Sequence, residues 1–164
     1  MVHTDLQERN IILGIEDDSI LKEFEINELR NPSRRKVNGD RIIYKSRGLE
    51  ISKNPGRPVI TDFGEARIGQ KTYDDDIQPF QYRAPEVIMD APWSYKVDIW
   101  NVGVMWNGLA EIPRTSLEES EENLHGEDKG QFLEFMRKML KWVPEERSST
   151  KELLQDTWLR NEMM

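Results

Sequence analysis

The sequence has 164 residues, a net charge of -8 from 23 basic and 31 acidic side chains, and no cysteine. This length suits one domain, and the lack of cysteine excludes disulfides and thiolate zinc sites and fits a reducing compartment. The acidic balance indicates simple solubility or a mild preference for basic partners, and it disfavours direct nucleic-acid binding. No apolar run approaches the ~20 residues that span a bilayer, and no signal-peptide pattern is present, so we expect an intracellular protein of the cytoplasm or nucleus.

The first third of the chain alternates short apolar runs with polar stretches. Ile11–Leu13, closed by Gly14, predicts a short buried strand. Asp17 to Ser19 can cap a helix with Ile20, Leu21 and Phe24 on one face, ending near Asn31-Pro32 because the residue before proline disfavours helical angles. Residues 33–58 are polar and rich in glycine and proline, so they predict a surface excursion with one strand candidate at Ile42–Tyr44.

A further short strand, Val59 to Thr61, leads into Asp62-Phe63-Gly64, and the chain is then polar and loop-like to Tyr82. Tyr95 to Trp106 is apolar on every side, which predicts a central, buried helix. Residues 107–129 are acidic and irregular.

Helical periodicity dominates the last quarter of the chain. Apolar residues then recur with helical spacing, at Phe132, Phe135, Met136, Met139 and Leu140. We expect Pro144 to end that helix. Ser149 and Glu152 form the pattern of a capping box that opens a last helix through Leu153, Leu154 and Trp158.

The strongest signal is the order of five short motifs, each of which is weak when taken alone. They are His3-Thr4-Asp5 with Asn10, Asp62-Phe63-Gly64, Ala84-Pro85-Glu86, Asp98-Ile99-Trp100, and Arg147. This succession resembles the C-terminal lobe of a eukaryotic protein kinase. Threonine at position 4, the long gap before Asp62 and the segment DIQPFQYRAPEV make the chain most similar to the SR-protein-kinase-like group of fungi.

The resemblance implies a mainly α fold with short β hairpins (α+β), a protein-kinase-like C-lobe without an N-lobe. Residues 1–164 would then form a partial kinase domain. Residues 14–58 would be an insert between the catalytic loop and the Asp-Phe-Gly motif, 62–86 the activation segment, and 107–129 a shortened part of the substrate lobe.

The same resemblance implies roles for the polar residues of the motifs. Asp5 would accept the proton of a substrate hydroxyl, and Asn10 and Asp62 would bind Mg²⁺ beside ATP, since hard cations prefer oxygen ligands. A solvated turn is the alternative for Asp5 and Asn10. The implied partner is a protein substrate, basic or rich in Arg and Ser.

Four further residues have structural roles by resemblance. Glu86 and Arg147 would form a buried ion pair, Asp98 would hold the catalytic-loop backbone, and Arg83 would shape the substrate loop. A plain surface charge is the alternative reading of each.

The sequence also departs from the kinase pattern. It contains no Gly-x-Gly-x-x-Gly motif and no strand lysine ahead of the loop, and Gln7 stands where the family has a catalytic-loop lysine. Glu8 and Arg9 replace the usual Pro-Glu. Two functions therefore stay open: a serine/threonine protein kinase that is weak or inactive as this chain alone, and a catalytically dead kinase-like interaction protein.

Overall fold

The structure is a computed structural model that describes residues 1–15, 17–49, 55–69, 72–106 and 116–162. It divides into two compact units, one formed by Met1–Asn10 with Thr61–Met164 and the other by Ile11–Ile60. Helices and short antiparallel strands are both present, so the expectation of an α+β chain is confirmed. No helix in the described ranges is both long and apolar enough to cross a membrane.

The larger unit is helical and has its main core between two helices, α3 (Lys96–Trp106) and α5 (Gly126–Met139). The unit also contains four short helices: α2 (Pro85–Ile88), α4 (Leu117–Ser120), α6 (Thr150–Leu153) and α7 (Thr157–Glu162). The buried side chains of this core are Ile99, Phe132, Leu133, Phe135, Met136, Met139 and Leu153. The periodicity that predicted α5 therefore marks the face that is buried.

Gly103 allows α3 and α5 to approach closely. A Cβ at position 103 would lie 2.7 Å from Cδ2 of Leu140 and 3.3 Å from Cβ of Met139. Any larger residue would therefore push the two helices apart.

A second buried cluster lies under the N-terminal end of α3. It consists of Val2, Ile77, Ala84, Val87, Trp93 and Val97. It joins the first residues of the chain to the segment before α2. The motifs His3-Thr4-Asp5 and Ala84-Pro85-Glu86 therefore lie in the same unit.

The smaller unit contains α1 (Ser19–Arg30) and two antiparallel strand pairs. Strand β1 (Ile11–Leu13) pairs with β4 (Pro58–Ile60), and β2 (Arg35–Asn38) pairs with β3 (Arg41–Tyr44). Gly39, with φ +64°, forms the tight turn between β2 and β3. The carboxylate of Asp17 accepts hydrogen bonds from the amide and hydroxyl of Ser19 at the start of α1.

Several expectations for the smaller unit were wrong. Strand β1 is not buried, since Ile12 is 53% and Leu13 47% exposed. Helix α1 lies where it was predicted, from Ser19 to Arg30, although it contains no buried residue and Leu21 on its apolar face is 44% exposed. In the described part of this unit each strand pairs with only one other, and a two-stranded pair buries little apolar surface by itself. Strand β4 also begins one residue earlier than predicted, at Pro58, and ends at Ile60.

Three expectations for the larger unit also need correction. Helix α3 is not buried all round, because Val102 is 41% exposed. Helix α5 ends at Met139, before Pro144, which instead begins a 3₁₀ turn. The Ser149–Glu152 capping box is confirmed, but the predicted last helix is two helices, α6 and α7.

The acidic stretch is more ordered than expected. Its described part, residues 116–129, contains α4 with a Ser116–Glu119 capping box and the start of α5. Residues 107–115 lie outside the described residues.

Candidate active site

The loop Met1–Asn10, which we call the opening loop, is held from two sides. Both carboxylate oxygens of Asp98, at the start of α3, accept backbone hydrogen bonds, from the amide of His3 at 2.7 Å and that of Thr4 at 3.0 Å. Val2 forms a two-bond bridge with Arg67, and the hydroxyl of Thr4 donates to the carbonyl of Glu65. Burial raises the pKa of Asp98, and the two amides oppose that rise.

Asp5 is oriented by two buried side-chain amides. Nε2 of Gln7 donates to Oδ1 of Asp5 at 2.5 Å, and Nδ2 of Asn10 donates to Oδ2 at 3.0 Å and to the carbonyl of Asp5 at 2.8 Å. Gln7 and Asn10 are 5% and 4% exposed, whereas the Asp5 side chain is 20% exposed. The carboxylate is thus fixed from behind and accessible from the front.

Asp62 follows a residue that is bonded to the opening loop. The amide of Thr61 donates to the carbonyl of Asn10 at 2.8 Å, and the Thr61 hydroxyl donates to the same oxygen at 3.1 Å. The ring of His3 contacts the carbonyl of Thr61 and lies 5.0 Å from the ring of Phe63. The chain segments that carry Asn10 and Asp62 therefore lie side by side.

Asn10 and Asp62 carry amide and carboxylate oxygens, which are the ligand types that a hard divalent cation prefers. Nδ2 of Asn10 makes the two hydrogen bonds to Asp5. The Asp62 side chain is exposed. Since the described residues contain no group of three or more His, Asp or Glu side chains suited to a metal, such a cation needs further oxygen ligands, such as phosphate.

Gln78 fixes the segment before α2 onto α3. Its Nε2 donates to Oδ1 of Asn101 at 2.7 Å, and its Oε1 accepts from the amide of Ala84 at 2.8 Å. Nδ2 of Asn101 in turn donates to the carbonyl of Tyr82 at 2.6 Å. Gln78 and Asn101 are both buried, so this network sets the path of residues 78–84.

Arg83 stabilises the same turn from outside. Its guanidinium donates to the carbonyl of Gln78 at 3.1 Å and pairs with Asp76 at 3.0 Å. Residues Thr4, Asp62 and Gln78 have positive φ angles of 68°, 64° and 68°. Such backbone strain in non-glycine residues persists where surrounding contacts enforce it, and it is concentrated in functional sites.

A cavity of about 260 Å³ opens beside Asp5. It is lined by Thr4, Asp5, Glu65, Asp76, Ile77, Gln78 and Arg83. The structure therefore brings Asp5 and Arg83 to one cavity, with Gln7 and Asn10 behind Asp5. It places Asp98 behind the opening loop, and Glu86 and Arg147 in an ion pair outside the cavity.

Sequence reasoning missed Gln78, Asn101 and the contact between Glu8 and Tyr82. Asn101 had a usable signal, since it is the one amide within the apolar run Val97 to Trp106. No sequence signal could have found Gln78 or Glu8, because glutamine and glutamate are common in polar loops.

The hydroxyl of Tyr82 donates to Oε2 of Glu8 at 3.0 Å and joins the opening loop to the segment before α2. Burial, and then the bond to Glu8, raise the pKa of Tyr82. In Glu8→Gln we expect this pKa to fall while remaining above the ordinary tyrosine value, because burial persists. ¹³Cζ-tyrosine NMR across alkaline pH measures it.

Glu65→Gln is the matched control for that titration, because Glu65 lines the cavity but has no part in the Tyr82 shift. An unchanged Tyr82 titration in Glu8→Gln would contradict the expectation.

Comparison with known proteins identifies the family of the chain. The protein kinase domain model matches residues 45–159, more than half of the chain. A serine/threonine protein kinase of Aspergillus fumigatus is 39% identical over 202 residues, covering 87% of this chain and 51% of that protein. The aligned stretch is longer than the 164 residues of this chain, so the relative contains residues there that this chain lacks.

Two further relatives are more distant. The serine/threonine-protein kinase AFC2 of Arabidopsis thaliana is 32% identical over 103 residues, covering 63% of this chain and 21% of the relative. The serine/threonine-protein kinase SRPK of Physarum polycephalum is 26% identical over 127 residues, covering 67% of this chain and 30% of the relative. The chain thus spans about half the length of the Aspergillus relative and less of the others. By these matches, and by the order of its motifs, the chain belongs to the protein kinase family.

Proposed function

We propose that the chain forms the C-lobe side of a serine/threonine protein kinase active site, the side that receives the hydroxyl substrate. The observation that supports this most directly is the Asp5 carboxylate, which two buried amides orient while it faces a cavity. A general base must be accessible to the proton that it accepts and fixed in direction, and Asp5 meets both conditions.

In the proposed reaction the oxygen of a serine or threonine hydroxyl attacks the γ-phosphorus of ATP, and ADP leaves. Asp5 accepts the hydroxyl proton. Asn10 and Asp62 would hold Mg²⁺, which when bound neutralises charge on the phosphates. Arg83 and Gln78 fix the wall of the cavity against which the substrate lies. A basic or Arg/Ser-rich protein is the substrate class, since three carboxylates, Asp5, Glu65 and Asp76, line the cavity beside one cation, Arg83.

Gln7 favours a second candidate, a kinase-like protein that binds partners without catalysis. A lysine at this position would bring a positive charge to the transferred phosphoryl group, whereas the Gln7 amide is neutral and already donates to Asp5. Losing such a charge commonly reduces the rate by about 100- to 1000-fold. Gln7 therefore orients Asp5 through a hydrogen bond, but it brings no positive charge to the transferred phosphoryl group.

Phosphate transfer from radiolabelled Mg-ATP to an Arg/Ser-rich peptide tests the proposal on the purified chain. We expect slow transfer that falls by about 100-fold or more in Asp5→Asn, because the proton acceptor is lost. Gln7→Lys should raise the rate by about 100-fold by restoring the missing charge. Calorimetry with Mg-ATP, on the wild type and on Asn10→Ala/Asp62→Ala, measures binding separately from transfer.

Asp90→Asn serves as the matched control, since Asp90 is exposed, lies outside the cavity and already has a positive φ that asparagine tolerates. Equal rates in Asp5→Asn and the wild type would refute the role of Asp5. Absence of transfer in both the wild type and Gln7→Lys would instead support the non-catalytic candidate.

A further inference from the structure

The β2–β3 hairpin of the smaller unit has open edges and exposed apolar side chains. Every residue of both strands is exposed, including Val37 at 67%, Ile42 at 50%, Ile43 at 54% and Tyr44 at 57%. No third strand pairs with either of them among the described residues. An uncovered strand edge is a template for pairing with another extended chain.

The hairpin is also strongly basic within an acidic protein. Between positions 34 and 47 the sequence has six cations, Arg34, Arg35, Lys36, Arg41, Lys45 and Arg47, and one carboxylate, Asp40. The whole chain, by contrast, has a net charge of -8. Arg47 pairs with Glu28 at 3.1 Å, whereas the other five cations have no ion pair within the described ranges.

Four of these cations line a cavity at the end of the hairpin that lies away from the Gly39 turn. The cavity measures about 310 Å³ and is lined by Arg34, Arg35, Lys36, Ile43, Tyr44 and Lys45. The amide of Lys45 donates to the carbonyl of Arg34 at 2.8 Å, which continues the strand pairing to this end. The lining thus combines four cations with two exposed apolar side chains on a paired backbone.

We propose that residues 34–45, the basic hairpin, bind an acidic segment of another protein as an added β-strand. The partner's backbone would pair with an open edge, its carboxylates would meet Arg34, Lys36 and Lys45 on one face of the hairpin, and its apolar side chains would cover Ile42 and Tyr44 on the other face. Strand addition of this kind takes affinity from main-chain hydrogen bonds and specificity from alternate side chains. This inference goes beyond phosphoryl transfer and does not depend on it.

A peptide fits these observations better than the other polyanions do. A nucleic acid or an anionic membrane would use the cations, but neither can form main-chain hydrogen bonds with the strand edge. Both also extend far beyond the hairpin, so the remaining negative charge of the chain would repel them. A short acidic strand meets only the basic hairpin.

Fluorescence anisotropy on the whole purified chain tests the proposal. The probe is a labelled 12-residue peptide that alternates glutamate with valine or threonine, and its twin has methylated backbone nitrogens at alternate positions. We expect saturable binding of the first peptide that weakens with salt. We expect at least ~10-fold weaker binding of the methylated twin, because it keeps the charge but cannot pair as a strand.

Lys36→Glu/Lys45→Glu should weaken binding of the first peptide by ~10-fold or more, since two attractions become repulsions. Lys36→Gln/Lys45→Gln removes the charges without reversing them and should give a smaller loss in the same direction. Lys22→Glu, an exposed lysine on α1 of the same unit, is the matched control and should bind as the wild type does.

Three results would overturn the proposal: no saturable binding of the first peptide, equal binding of the methylated twin, or tighter binding of single-stranded RNA or anionic vesicles than of the peptide. The phosphotransfer assay with Asp5→Asn is independent of all three. Failure of the hairpin proposal is therefore distinguishable from failure of the proposed kinase function.

Discussion

Arg147→Ala is expected to lower the free energy of unfolding by about 3–5 kcal/mol, because it leaves Glu86 buried without its ion-pair partner. Arg147 is 1% and Glu86 3% exposed, and two guanidinium–carboxylate bonds of 2.6 Å join them. The guanidinium also donates to the carbonyls of Lys96, Lys141 and Trp142. Urea unfolding followed by tryptophan fluorescence measures the loss.

A double-mutant cycle isolates the ion pair from those carbonyl bonds. Glu86→Ala/Arg147→Ala should cost clearly less than the sum of the two single variants, since no unpaired charge stays buried. Arg147→Lys keeps the charge but cannot make two parallel bonds to a carboxylate, so we expect an intermediate loss. Costs that add within about 0.5 kcal/mol would show that the pair is not coupled.

The ion pair also shows what the sequence could predict. Glu86 and Arg147 are 61 positions apart, and only the order of the kinase-like motifs suggested that they meet. The structure confirms that they form one buried pair. Helix α5 could be predicted more directly, because its buried residues recur with the period of the helix itself.

Burial of strands could not be predicted in the same way. The apolar run Ile11–Leu13 indicated a buried strand, but burial depends on a covering layer, and Ile12, Leu13, Val59 and Ile60 of the β1–β4 pair are exposed. Strand β2 was missed because Arg35–Asn38 is mostly charged and polar, and it is a strand only because it pairs with β3. In both cases tertiary context decided the outcome.

In the candidate site, too, some residues could be predicted from local sequence patterns and others could not. Short motifs identified Asp5, Asn10, Asp62 and Asp98 because a few fixed residue types carry the proposed chemistry. The residues that hold these groups, such as Gln78 and Asn101, act through long-range hydrogen bonds. A long-range bond of this kind leaves no local pattern in the sequence.

Asp98→Ala is expected to lower the free energy of unfolding by about 3 kcal/mol, because the amides of His3 and Thr4 both lose their acceptor. The opening loop should loosen first, since these two bonds tie it to α3. Hydrogen exchange followed by NMR should show faster exchange at His3 and Thr4, while α5 amides change only by the overall loss of stability. Asp74→Ala, at an exposed aspartate, is the matched control.

Asp98→Asn separates hydrogen bonding from charge. Burial raises the pKa of Asp98 in the folded chain, so the folded state binds its proton more tightly than the unfolded state does. The contribution of Asp98 to stability should therefore fall as pH rises from the unfolded value of about 3.9 through the folded pKa. Asparagine cannot titrate, so this part of the pH dependence should vanish, although one of the two amides still loses its acceptor. An unchanged pH profile in Asp98→Asn, with unchanged exchange at His3 and Thr4, would show that Asp98 does not hold the opening loop.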